Sequence, residues 1–186
     1  MISAPSGAGK SSLINTLLKL DNNLQLSISH TTRPMRPNES NGVQYHFVTE
    51  TEFNTMLQHG QFVEHAKIYN YYYGTHIKTI QSLVENGNKD ILLEIDYQGA
   101  LQIKNLFPGA VLIFIMPPDL ETLHARLKSR NTDSLESIQI RLNSAATEIS
   151  YNKYFQYIII NDKFDESINE LQHIIDKTRQ LKYQTL

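Results

Sequence analysis

The chain has 186 residues, with 17 Lys and Arg against 19 Asp and Glu, a formal net charge of −2 and no cysteine. That length suits one compact domain with a real core and small inserted lobes, and the charge balance gives no basic excess of the kind that marks a nucleic-acid binder. Zero cysteine excludes disulfides and thiolate metal sites and is compatible with a cytoplasmic location; no apolar run approaches a membrane span, and no signal peptide precedes the first motif.

The chain opens on Met1-Ile2-Ser3. These residues read as strand one, which is short against the usual length. The expectation is that either the native chain begins earlier or the strand is a stub. Ser3-Ala4-Pro5-Ser6-Gly7-Ala8-Gly9-Lys10-Ser11-Ser12 follows. It fits the phosphate-loop pattern G-x-x-x-x-G-K-[ST], with Ala4 in place of the first glycine and the Gly9-Lys10-Ser11 triplet complete. Gly7 and Gly9 let backbone N–H groups turn inward around phosphate oxygens. Lys10 can reach the β- and γ-phosphates, and the Ser11 hydroxyl can ligate Mg²⁺. Leu13, Ile14, Leu17 and Leu18 recur at helical spacing, so the loop opens a helix from about Gly9 to Leu20, whose positive N-terminal end adds to the site. The plain alternative is a Gly/Ser-rich turn before an ordinary helix; the complete Gly-Lys-Ser triplet and the helix after it count against that.

Asp21-Asn22-Asn23 ends the helix, and Leu24, Leu26 and Ile28 alternate as a half-buried strand. In Ser29-His30-Thr31-Thr32-Arg33-Pro34-Met35-Arg36-Pro37 the prolines and polar neighbours predict a loop. Its arginines are either aimed at a ligand or incidental. Tyr45 to Val48 reads as a short strand. Thr49 and Glu52 form a capping box for a short helix that ends at Gly60. Gln61 to Ile68 reads as a strand carrying Glu64. Tyr69 to Thr75 reads as a tyrosine-rich polar loop, a binding surface or simple packing. Residues 29–75 therefore read as a small mixed segment without a strong core of its own.

His76 to Glu85 is helical, with Gly87 as the C′ residue. Lys89 to Asp96 is a near-continuous apolar run, a buried parallel strand with its acids near the C-terminal end, where ligands bind in open α/β sheets. Asp96 either orients the phosphate machinery or caps the next helix, Tyr97 to Leu106. Ala110 to Met116 is another buried strand. Asp119 caps a helix with Leu120, Leu123 and Leu127. Arg126, Arg130 and Arg141 fall around the polar stretch Asn131-Thr132-Asp133-Ser134, which suits either a lid closing on phosphates or a solvated helix pair. The second helix of that pair runs to about Tyr151. Tyr157 to Ile160 reads as a last buried strand, and Phe164 to Leu181 as a long amphipathic helix. Strands alternating with helices predict an α/β fold, a P-loop NTPase-type parallel sheet flanked by helices with right-handed crossovers.

The phosphate loop, Ser29-His30-Thr31-Thr32-Arg33 with Arg36, Tyr45, Glu64, Tyr72-Tyr73-Gly74-Thr75, Glu94-Ile95-Asp96-Tyr97-Gln98-Gly99 and Asn161-Asp162 together resemble guanylate kinase of the bacterial type. The resemblance spans nearly the whole chain in the correct order. It implies a core P-loop domain (1–28, 76–125 and 144–186), a GMP-binding lobe (29–75) and a short helical lid (126–143). It implies Mg²⁺-dependent transfer of the γ-phosphoryl group of ATP to GMP and dGMP, giving ADP and the diphosphate, in purine metabolism. The small-molecule partners are then ATP and GMP, with no nucleic acid and no membrane.

Residue by residue, the resemblance places ATP on Ala4, Pro5, Ser6, Gly7, Ala8, Gly9, Lys10, Ser11 and Ser12, with Ser11 at the metal and Asn161 beside the adenine. Arg33, Arg36 and Tyr45 match the residues that hold the GMP phosphate. Ser29, Glu64 and Thr75 match those that read guanine, Tyr73 a further nucleotide-site tyrosine, and Asp96 an acid near the phosphates. Lys10, Arg33 and the lid arginines Arg130 and Arg141 would carry catalysis. Departures stand at Ala4 (a first loop glycine), Glu94 (commonly aspartate), Asn131 (usually glycine) and Lys163 (a second aspartate). Two rival readings are a catalytically inactive guanylate-kinase-like protein-binding module and an enzyme with another acceptor, such as a phosphorylated sugar. The intact Gly9-Lys10-Ser11 argues against the first, and the base-reading set against the second.

Overall fold

The computed structural model describes residues 1–85, 89–129 and 135–184. Gly87, Arg130, Asn131 and the rest of the polar stretch to Ser134 lie outside the described residues. The elements in chain order are β1 (Ile2–Ser3), α1 (Lys10–Leu20), β2 (Leu24–Ser27), β3 (His30–Thr31), β4 (His46–Phe47), α2 (Glu50–Gln58), β5 (Phe62–Ile68), β6 (Tyr71–His76), α3 (Ile77–Glu85), β7 (Asp90–Leu93), α4 (Tyr97–Leu106), β8 (Ile113–Met116), α5 (Leu120–Ser129), α6 (Leu135–Ser150), a 3-10 turn (Tyr151–Tyr154), β9 (Tyr157–Ile160) and α7 (Phe164–Gln184). The parallel pairs β1–β8, β2–β7 and β8–β9 are joined through helices, which makes the fold α/β as the alternation predicts. The chain divides into two units, Met1–Asp21 with Val111–Leu186, and Asn22–Ala110.

In the first unit, β1, β8 and β9 form a parallel sheet. The short β1 registers Ile2 against Ile113 and Ser3 against Phe114, so even a brief strand is paired. Ile113, Phe114 and Ile115 are all buried, as expected of an apolar run covered on both faces. α1 buries Leu13, Ile14 and Leu17, and α7 buries Ile168, Leu171 and Ile174. The two helices pack together, and Arg179 Nη1 meets Asp21 Oδ2 at 2.8 Å. The run 157–160, read as a buried strand, is covered on one face only: Ile159 is buried, while Ile158 and Ile160 are 43% and 59% exposed. Three successive isoleucines conceal which face is covered, because no alternation marks it.

In the second unit, β2 and β7 pair in parallel, Leu24 against Asp90 through Ser27 against Leu93. β4, β3, β6 and β5 form a separate four-stranded sheet in that order. Two expectations are corrected here. His30–Thr31, inside the predicted loop, is a short strand paired with both β4 and β6. The tyrosine-rich stretch is mostly strand: β6 pairs antiparallel with β5, and only Tyr69 and Asn70 form the turn between Ile68 and Tyr71. Tyrosine favours a pleated, half-buried surface, and that preference outweighed the polar look of the segment. The segment also has its own small core. Phe53 is fully buried and stacks on Phe62 at 4.4 Å and on Tyr72 at 5.5 Å between ring centroids. The capping box is formed as predicted: the Thr49 side chain accepts from the Glu52 amide, and Glu52 accepts from the Thr49 amide at 2.7 Å.

Candidate functional site

In the first unit the phosphate loop has the geometry its glycines predict. Gly7 and Gly9 have φ of +95° and +93°, a region that L side chains rarely adopt. Gly9 is the N-cap of α1 and offers no side-chain cap, so no capping side chain on Gly9 competes for the first-turn amides of the helix. Lys10 and Ser11 open the helix, Lys10 half-buried and Ser11 exposed. The back of the loop is tightly supported. A Cβ on Gly7 would lie 2.9 Å from Leu127 Cγ, and a Cβ on Gly9 would collide with Asn161 Nδ2. Asn161 is buried and donates from Nδ2 to the Ala8 carbonyl at 2.8 Å. A cavity of about 290 Å³ is lined by Gly7, Gly9, Ser12, Arg126, Asn161 and Phe164 among others.

α6 reaches the same loop. Arg141 Nη1 donates to the Ser6 hydroxyl at 3.2 Å, and the Ser6 amide donates to Glu148 Oε2 at 3.2 Å. The described part of the helix pair is not merely solvated: Leu123 and Leu127 of α5 pack with Ile138, Leu142 and Ala145 of α6. Arg130, the other arginine assigned to the lid, lies outside the described residues.

The second unit holds the remaining candidates. Glu64 is 3% exposed, in a buried polar group with Thr75 and Ser29. Thr75 Oγ1 donates to Glu64 Oε1 at 2.6 Å, and the Ser29 and Thr75 hydroxyls lie 3.2 Å apart. So buried, Glu64 is not one half of a surface ion pair with the neighbouring Lys67, whose ammonium sits 5.2 Å from the Tyr72 ring centroid. Gly99 backs the carboxylate so closely that a Cβ there would collide with Glu64 Oε2. Asp96 is the N-cap of α4, accepting from the Gly99 amide at 2.9 Å, so its capping role is realised.

Arg33 and Arg36 converge on one acid. Arg33 Nη2 donates to both Glu39 oxygens at 2.7 and 3.0 Å, and the Arg36 amide donates to Glu39 Oε2 at 2.8 Å. The Arg33 guanidinium also lies 5.7 Å from the ring centroids of Tyr45 and Phe47, and Tyr45 meets Tyr73 edge-on at 5.7 Å. Burial pushes the Glu39 carboxyl up, but the bonds from Arg33 and Arg36 pull it below the usual carboxylate range. Burial, then the charge of Glu94, raises the Tyr45 phenol well above its ordinary value, so it stays a protonated donor.

Sequence reading missed Glu39 and Glu148. Glu39 lies three residues after Arg36, a spacing that gives a hint in hindsight; Glu148 carries no motif. Arg126 reads from the sequence as one of three arginines around a lid, without a place in the donor or acceptor set. It lines the loop cavity, and its Nη1 is buried without a protein hydrogen-bond partner.

The guanylate kinase family model matches residues 1–178 of this chain. The chain is similar to the guanylate kinase of Rickettsia bellii, 50% identical over 179 residues that cover 96% of this chain and 93% of the relative. It is also similar to that of Coxiella burnetii, 48% identical with 96% and 86% covered. Among solved structures, the crystal structure of guanylate kinase from Anaplasma phagocytophilum superposes with a TM-score of 0.76 at 33% identity, covering 95% of this chain and 82% of that one.

Proposed function

We infer that this chain, which belongs to the guanylate kinase family, transfers the γ-phosphoryl group of ATP to GMP, giving ADP and GDP. The family assignment disfavours an inactive binding module, and the intact phosphate loop agrees with that. The observation that carries the choice of acceptor is the buried carboxylate of Glu64 beside the Thr75 and Ser29 hydroxyls. Guanine presents N1–H and N2–H₂ donors on one edge, and an ionised carboxylate is acceptor-only. Thr75 holds the carboxylate with its hydroxyl proton, and the Ser29 hydroxyl, turning its proton from Thr75, can serve O6 or N7.

Phosphoryl transfer asks a protein mainly to position the reactants and neutralise charge on the phosphoryl oxygens. On the donor side, the loop from Ala4 to Ser12 would bind ATP, with Lys10, Arg130 and Arg141 supplying positive charge and Asn161 next to the adenine. Arg126, with its buried unpaired nitrogen, adds a further donor toward that nucleotide. On the acceptor side, Arg33, Arg36, Tyr45 and Tyr73 would hold the GMP phosphate, with Asp96 close by. A phosphate monoester is already a nucleophile near neutral pH, so no side-chain base is required. These roles fit a core (1–28, 76–125 and 144–186), a GMP lobe (29–75) and a lid (126–143).

The Ser11 hydroxyl is a hard oxygen donor at the first turn of α1. No cluster of three or more His, Cys, Asp or Glu suited to a metal occurs among the described residues. One protein oxygen with nucleotide phosphates and water is a donor set that suits Mg²⁺. Bound there, Mg²⁺ would neutralise charge on the phosphates. No described helix is long and apolar enough to cross a membrane, and with no cysteine we place the protein in the cytoplasm. A screen of nucleoside monophosphates with ATP-Mg²⁺ in a coupled assay tests the reading: GMP and dGMP should be turned over and AMP poorly. Equal use of AMP would overturn it.

A further inference from the structure

Ser6 of the phosphate loop is gripped twice by one helix. Its hydroxyl accepts from Arg141 Nη1 and its amide donates to Glu148 Oε2. The two side chains are seven residues apart, close to two helical turns, so they share one face of α6. Ala145 lies between them on that face and is fully buried against Leu123 and Leu127 of α5. The same leucines back Gly7, where a Cβ would come within 3.0 Å of either. One apolar cluster therefore sets the rotation of α6 and supports the rear of the loop.

We propose that Glu148 is a positioning residue for the phosphate loop, holding the Ser6 amide so that the turn through Gly7 to Gly9 keeps its phosphate-binding curve. This rests on the reading of Ala4 to Ser12 as the ATP site. A carboxylate beside a polyphosphate site repels its ligand, so Glu148 contributes through geometry and not through attraction. Arg141 on the same face holds the Ser6 side chain, and α6 thereby moves with the loop as one piece. The loop has a further support at Ala8 from Asn161, so losing Glu148 loosens the curve without unfolding it.

The test compares the parent with Glu148→Gln, Glu148→Leu and Glu148→Asp, reading kcat, both Michaelis constants, ADP affinity by titration, and Tm. Glu148→Leu should lower kcat and weaken ADP by ~10-fold, the size of one hydrogen bond to a charged group. The GMP Michaelis constant and Tm should change little. Glu148→Gln keeps an oxygen acceptor at the same reach and should recover most of the loss. Glu148→Asp keeps the charge but falls one methylene short, so it should behave like Glu148→Leu; it also serves if the leucine variant folds poorly. Parent-like kcat and ADP affinity in Glu148→Leu and Glu148→Asp would overturn the proposal. So would an equal loss in Glu148→Gln, which would assign the effect to charge, or a loss confined to the GMP Michaelis constant. A parent that binds ADP but phosphorylates no nucleoside monophosphate would sink the kinase reading instead, and the ADP titrations would still judge Glu148.

Discussion

Glu64 and Thr75 face each other across β5 and β6 and share a 2.6 Å hydrogen bond in a buried setting. A buried carboxylate is costly unless it is hydrogen-bonded, and an ionised one can only accept, which suits the donor edge of guanine. Adenine would meet it with a bare N1 lone pair and no N2 group. A site built to bond a group rejects the analogue lacking it by ~10⁴–10⁵. Glu64→Ala should therefore abolish most GMP turnover with the fold retained, checked by a coupled assay and circular dichroism. Full GMP activity in that variant would remove Glu64 from base recognition.

Lys10 supplies charge at the transferring phosphoryl group in the proposed mechanism. Losing one preorganised electrostatic contact costs ~10²–10³ in turnover, so Lys10→Ala should fall by that factor at saturating ATP and GMP with Tm unchanged. Near-parental turnover would reassign the residue.

Gly9 has φ of +93°, and a side chain there would collide with Asn161. Gly9→Ala combines a left-handed backbone cost of ~1–2 kcal/mol with displacement of the Asn161 bond to Ala8. At ~2–4 °C per kcal/mol for a chain of this size, the melting point should drop by several degrees and ADP binding should weaken with it. An unshifted melting curve would mean that the loop relaxes freely at this position.

His30 sits against His46 and His76, with ring centroids 4.7 and 5.5 Å away, and its Nδ1 is buried without a partner. Burial first, then the charges of His46 and His76, pull its pKa down from 6.5 to about 4. A group whose folded pKa is depressed contributes full stability above its unfolded pKa and loses it as pH falls through the folded one. The parent should lose thermal stability between about pH 6.5 and about pH 4. His30→Phe, which cannot titrate, should lose less over the same window. Parallel Tm profiles for the two proteins would count against His30 as the cause.

What could be read from the sequence was local. The phosphate loop, the Thr49 capping box and the alternation of strands and helices are each written within a few neighbouring residues. The sheet of the second unit was only partly legible: β4 and β5 read as strands, but β3 is too short to show a period and β6 is tyrosine where a strand is usually aliphatic. Glu64 was found through family resemblance, yet its burial had a signal: Glu64 and Ala66 alternate with exposed His65 and Lys67. Glu39 meets partners only 6 and 3 positions away, but in a loop whose path no pattern fixes; Glu148 meets one 142 positions away, so its role is a tertiary fact.

The turn at Tyr69 and Asn70 has a consequence for the order of assembly. It makes β5 and β6 a hairpin, and hairpins close in ~1–10 μs because little chain entropy is lost between near neighbours. Glu64 and Thr75, 11 positions apart, would thus meet among the earliest contacts of the chain. Ser29, 46 positions from Thr75, would join later. Pulse-labelled hydrogen exchange should find the amides of this hairpin protected before those of β3; the reverse order would refute it.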